Sequence, residues 1–147
     1  MKKLLLILLC LPIIGFGQTL ILDANFEQAL INLGYDIGTP NGSVPTANID
    51  TVNSLNVSNQ NIADLTGIED FTALTRLHCD SNQISILDAS QNNYLTELHC
   101  NFNQNLTSID SLYFLETVVC ENNNNLTHIS MRYASMRWVG SKSEHAC

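Results

Sequence analysis

Two His-Cys dipeptides, His78-Cys79 and His99-Cys100, are followed at almost the same interval by a third cysteine, Cys120. Imidazole and thiolate are the donors of zinc and other borderline transition-metal sites. Which chemistry is open to them depends on the backbone that carries them. On a strand, neighbouring residues face opposite sides, so each cysteine turns inward and each histidine outward. Equivalent residues on adjacent parallel strands sit about 4.7–4.9 Å apart and point the same way. A disulfide needs Cβ atoms at about 3.8 Å and a dihedral of about 90°, which a stacked column rarely supplies. Cys79, Cys100 and Cys120 are therefore expected as a core column of free thiols, packed as small hydrophobes. A three-thiolate metal site is the sharper alternative. His78 and His99 could approach each other and hold a metal weakly, but the spacing offers no obvious third ligand. The expectation is a solvent-facing pair, with no metal and no cofactor.

Other chemistry finds little support in the residue pattern. Nucleophile motifs, a zinc-protease helix, a phosphate loop and paired-carboxylate spacing do not stand out, so an enzyme is not expected. Asp36, with Asn41-Gly42 and Asp50, has the composition of a calcium loop without its oxygen spacing. The formal charge is −8 over 147 residues. An acidic chain repels phosphate backbones and anionic lipid, so nucleic acid is not an expected partner.

The elements that must position these groups follow from an internal repeat. Val52-Asn53-Ser54-Leu55-Asn56-Val57 aligns with Leu74-Thr75-Arg76-Leu77-His78-Cys79, then with Leu95-Thr96-Glu97-Leu98-His99-Cys100 and Leu115-Glu116-Thr117-Val118-Val119-Cys120. The starts, at Val52, Leu74, Leu95 and Leu115, are almost evenly spaced. A degraded fifth copy begins at Met136, with Val139 in the second apolar slot. Three residues beyond each cysteine stand Asn82, Asn103 and Asn123, each followed by two apolar positions: Ile84 and Leu87, Leu106 and Ile109, Leu126 and Ile129. A single such turn cannot bury its apolar row, whereas stacked turns bury one another. The three Asn amides are expected as a structural ladder, satisfying turn backbone that has no sheet partner. Gln60 takes that slot in the first copy.

This pattern resembles the leucine-rich-repeat family, L-x-x-L-x-L/C-x-x-N-x-L, over roughly residues 52–130. The short period and Asn-rich turns are similar to its extracellular bacterial branch, internalin-like proteins and secreted repeat proteins of Bacteroidetes. The resemblance implies an α/β fold: a short solenoid with a parallel sheet on its concave face and an irregular or tightly turned return on its convex face.

The flanks divide the rest of the chain. Lys2-Lys3, the apolar run Leu4–Phe16 and the small residues Gly15 and Gly17 follow the order of a signal peptide, expected over 1–17. Its removal leaves no membrane span and a formal charge of about −10, from 4 basic and 14 acidic residues. Residues 18–51 are expected as an N-terminal cap. They hold a loop and a helix over about 23–33, N-capped by Asp23, stopped by Gly34, and burying Phe26, Leu30, Leu33 and Ala29. Repeats are expected over 52–135, and a degenerate repeat or irregular tail over 136–147, where Glu144 replaces the ladder Asn.

The outward strand positions are then the candidate binding face: Arg76, His78, Glu97, His99, Phe102 and Val119, with Asp80, Asn101, Glu116, Thr117 and Glu121 beside them. The function expected is a secreted or cell-surface module that binds an extracellular protein or a glycan through the concave face. A structural spacer, or a remnant of a larger surface protein, is the alternative.

Overall fold

The structure, a computed structural model, describes residues 17–112, 115–131 and 137–139. Along the chain run β1 (Gln18–Leu20), α1 (Ala24–Asn32), β2 (Ser43–Pro45), β3 (Ser54–Asn56), β4 (Arg76–His78), β5 (Ile86–Asp88) and β6 (Glu97–His99). They are followed by β7 (Ser108–Leu112), β8 (Thr117–Val119), β9 (His128–Met131) and β10 (Arg137–Val139). The expected signal peptide lies outside the described residues except for Gly17, as does most of the tail, Glu144 included.

One strand from each repeat, β3, β4, β6, β8 and β10, joins a five-stranded parallel sheet in chain order. Leu55, Leu77, Leu98 and Val118 pair in register along its centre and are all buried. Their flanking residues face the other way, as a period of two requires. Val57, Cys79, Cys100 and Cys120 make a second buried column, and Leu74, Leu95 and Leu115 a third. Full burial of one such aliphatic side chain stabilises by about 1.5–3 kcal/mol, and no single turn could achieve it alone. This is a short leucine-rich-repeat solenoid.

The return side departs from the irregular path that was expected. β5, β7 and β9 form a second parallel sheet of three strands, with Leu87 opposite Ile109 and Ile109 opposite Ile129. The cause lies in the local pattern. In Ile86-Leu87-Asp88 and Ser108-Ile109-Asp110 one buried aliphatic residue sits between two outward ones, which is strand alternation rather than turn chemistry. The fifth strand also differs in register. Trp138 pairs with Val118, so Val139 falls opposite Val119 and not in the central slot. The interval from Val118 to Trp138 matches the short one from Leu98 to Val118. An alignment that keeps the longer interval from Leu77 to Leu98 misplaces the strand by a single position.

Asn82, Asn103 and Asn123 are buried at the turn after each strand. Asn103 shows what the position demands. Its Nδ2 donates to the carbonyls of Cys79 (3.1 Å) and Cys100 (3.0 Å), and its Oδ1 accepts from Ile84 N–H at 3.1 Å. Asn103 N–H donates in turn to Asn123 Oδ1 at 2.7 Å. Asn82 takes two backbone N–H groups, of Gln60 and Ile62, and donates to the Val57 and Cys79 carbonyls. Each amide thus joins two successive turns.

Asp23 serves two elements. One carboxylate oxygen accepts from Asn25 and Phe26 N–H to start α1, and the other accepts from Ala63 and Asp64 N–H in the first repeat. Phe26 stacks on Phe71 with ring centroids 6.4 Å apart. The buried face of α1 is Phe26, Glu27, Ala29 and Leu30. Leu33, expected in that face, lies beyond the last helical residue and is exposed, because Gly34 at φ 83° turns the chain away. Glu27 is buried instead, each of its carboxylate oxygens accepting a loop N–H: Asn41 at 2.6 Å and Gly42 at 2.7 Å.

Candidate functional site

The outward face of the five-stranded sheet carries two in-register columns. One runs Ser54, Arg76, Glu97, Thr117; the other runs Asn56, His78, His99, Val119. Adjacent strands therefore bring Arg76, His78, Glu97, His99 and Val119 onto one patch of surface. Histidines that share a register position face each other directly, and the rings of His78 and His99 stack with centroids 4.3 Å apart and planes 10° from parallel. Glu97 shares a strand face with His99, two residues on, and leans across the gap. Its Oε1 lies 3.1 Å from His78 Nε2 and 3.2 Å from His99 Nε2. An ionised carboxylate only accepts, so His78 Nε2–H donates to this oxygen, while His99 Nε2 stands within ion-pair distance of it. All three side chains remain about one-third open to solvent. Among the described residues Arg76 forms no ion pair, although it is in register with Glu97.

Sequence reasoning named all three residues but did not see them as one cluster. The signal was available: strand partners one repeat apart bear histidine, and the residue two before the second histidine shares its face.

Phe102 is not on the sheet. It stands in the turn beyond β6 at φ 57°, with 52% of its surface exposed. Ser81 and Asn122 hold the same turn position in neighbouring repeats, also at positive φ, as does Asn59 in the first. That backbone suits short polar residues, and a bulky aromatic there is strained. Asp80 and Asn101, expected among the outward candidates, are partly committed to backbone. Asp80 Oδ1 accepts from Asn101 N–H at 2.6 Å, and Asn101 Oδ1 from Glu121 N–H at 2.7 Å. This outer ladder had no sequence signal beyond the polar character of its members.

The inward thiols are shielded from solvent. Cys79, Cys100 and Cys120 are buried and free. Burial, reinforced by the nearby Asp80 charge, pushes the Cys79 thiol well above its ordinary value. The Cys100 thiol is raised by its hydrogen bond with Cys120 and then by burial, and the same bond lowers the Cys120 thiol. Among the described residues no three-ligand cluster gathers at Asp36 and Asp50; the one that forms is His78, Glu97 and His99. Asp36 is buried, and its Oδ2 has no hydrogen-bond partner among the described residues.

No protein-family model matches the chain. Among curated proteins it is similar to internalin J of Listeria monocytogenes, at 55% identity over 42 residues. Over that stretch the repeats are similar to internalin leucine-rich repeats. The matched stretch takes in 29% of this chain and 5% of internalin J, so the chain spans only a small part of that protein's length.

Proposed function

We propose that this chain is a non-catalytic protein-binding module, secreted or displayed at a cell surface, whose partner docks on the outward face of the five-stranded sheet. The observation that carries the reading is Phe102. A large aromatic side chain is kept exposed, at a cost in backbone strain, at a turn position that neighbouring repeats fill with Ser81 and Asn122. Strain kept at an exposed site points to use, and aromatic anchors are typical centres of binding energy. On the sheet that precedes this turn, Arg76, His78, Glu97, His99 and Val119 supply a mixed polar and apolar surface. The similarity to internalin J supports an extracellular setting, and the apolar leader supports export. Among the described residues no helix is long and apolar enough to cross a membrane.

The test is a titration of the purified chain against arrays of extracellular proteins and glycans. Saturable binding to a protein is expected, weakened about tenfold or more when Phe102→Asn and Glu97→Gln are combined with folding intact. Glycan-only binding would replace the protein partner with a sugar. Binding that ignores both substitutions, or none at all, would leave the spacer reading in its place.

A further inference from the structure

We propose that His78, Glu97 and His99 form a binding site for one divalent transition-metal ion of the zinc type on the outward face of the sheet. Two imidazoles and one carboxylate are a donor set that such ions accept, and it is too rich in nitrogen for calcium or magnesium. The distances are already close to what the ion needs. Bonds of about 2.0–2.2 Å at tetrahedral angles put neighbouring ligand atoms about 3.3–3.6 Å apart. Glu97 Oε1 stands 3.1 Å from one Nε2 and 3.2 Å from the other, and all three donor atoms lie within 4.8 Å of one another.

The scaffold explains why the set is preassembled. His78 and His99 are register partners on β4 and β6, so the ladder of main-chain bonds fixes their Cα atoms, and Glu97 is tied to the same strand as His99. Their remaining freedom is rotational. The rings are 4.3 Å apart and nearly parallel, with both Nε2 atoms within 3.2 Å of Glu97 Oε1. Converging on one ion requires each ring to turn about its Cβ–Cγ bond, which side chains one-third open on the outward face can do without disturbing the core. The Nε2 proton of each neutral imidazole moves to Nδ1 through solvent, so the rings remain neutral and no net proton is lost. The Glu97 carboxylate offsets one of the two positive charges. The side facing solvent leaves the fourth position to water, as in zinc sites that keep an open place.

The site does not depend on a partner docking on the outward face, and its test is separate. Untagged full-length chain is titrated calorimetrically with Zn2+ and, in parallel, with Co2+ while the visible spectrum is followed. One saturable site per chain is expected, with Co2+ bands of nitrogen and oxygen ligation and no thiolate charge-transfer band. His78→Ala and His99→Ala should each weaken binding about tenfold or more, within the range for losing a ligand or its support. Glu97→Gln should weaken it while keeping the side-chain shape. His128→Ala, on the other sheet, should change nothing. If a histidine variant fails to fold, Glu97→Gln together with the Co2+ spectrum still decides. Absence of a stoichiometric site, a thiolate band, or binding indifferent to His78→Ala, His99→Ala and Glu97→Gln would overturn the proposal.

Discussion

The two sides of the main sheet obey different rules. Inward, each repeat restates the same residue types: Leu55, Leu77, Leu98 and Val118 along the centre, Cys79, Cys100 and Cys120 beside them, Asn82, Asn103 and Asn123 at the turn. Outward, the same strands carry Ser, Arg, Glu and Thr in one column and Asn, His, His and Val in the other. Stacking leaves each inward side chain one neighbour above and one below, so the interior tolerates little change of volume or polarity. The outward positions answer only to solvent and to each other. Repetition therefore records packing, and its failure on the outer face marks where the chain has been free to acquire chemistry.

The largest expected effect tests that division directly. Leu98→Ala removes a fully buried side chain between two in-register neighbours and should cost about 2–5 kcal/mol in denaturant melts. Glu97→Ala and His99→Ala, flanking it on the outward side, should each change stability by less than about 1 kcal/mol. Comparable costs on both sides would erase the distinction between the two faces.

The ladder comes next. Asn103→Leu keeps an apolar volume but leaves the Ile84 N–H and the Cys79 and Cys100 carbonyls short of partners, and should cost about 1–3 kcal/mol. Asn101→Leu loses one acceptor for the Glu121 N–H at a half-open site where water can substitute, so its cost should be smaller. Equal melts for the two would mean that the buried ladder is not what joins the turns.

How far these rules were legible in the sequence depended on whether a residue type repeats. The main sheet, the thiol column and the Asn turns could be read because Leu77, Cys79 and Asn82 each recur with nearly fixed spacing. The second sheet was missed although Ile86-Leu87-Asp88 alternates as a strand should, because such brief alternations are too short to distinguish from turns. Leu33 was misread, and the burial of Glu27 was not foreseen, for another reason. A helical face drawn from hydrophobicity cannot see that the helix ends at Asn32, or that the loop offers Asn41 and Gly42 N–H groups to a buried carboxylate. The His78–Glu97–His99 cluster joins a column that repeats to one that does not, so it emerged only once the register was explicit.

The thiol column gives a pH-dependent prediction. Burial raises the Cys79 thiol, so the native state holds this proton more tightly than the unfolded chain does; in the hydrogen-bonded Cys100–Cys120 pair one thiol is raised and the other lowered, so Cys79 sets the sign. Stability is then unaffected below the ordinary thiol value of about 8.5 and falls as the pH rises above it, because only the unfolded state gains by ionising. Thermal melts should be flat from neutral pH to about 8 and decline beyond. Cys79 and Cys100 should react with an alkylating reagent only after unfolding, and rapid labelling of the native protein would contradict this.

Phe102 carries the smallest expected effect and the sharpest contrast between the faces. It occupies a position at φ 57° that Ser81 and Asn122 also hold, so Phe102→Asn places a residue suited to left-handed backbone where an aromatic now stands. Because 52% of the residue is exposed, little burial is lost in the exchange. Relief of backbone strain should raise stability by about 1 kcal/mol. A position kept only for folding would gain by this change and lose nothing. If the ring is retained for a partner, the same substitution stabilises the protein and weakens its binding, a trade-off expected where strain serves function. Denaturant melts and partner titrations on the same preparation read both quantities. A stabilised variant with undiminished binding would remove Phe102 from the interface, and a destabilised one would show that the ring packs against its turn more than its exposure suggests.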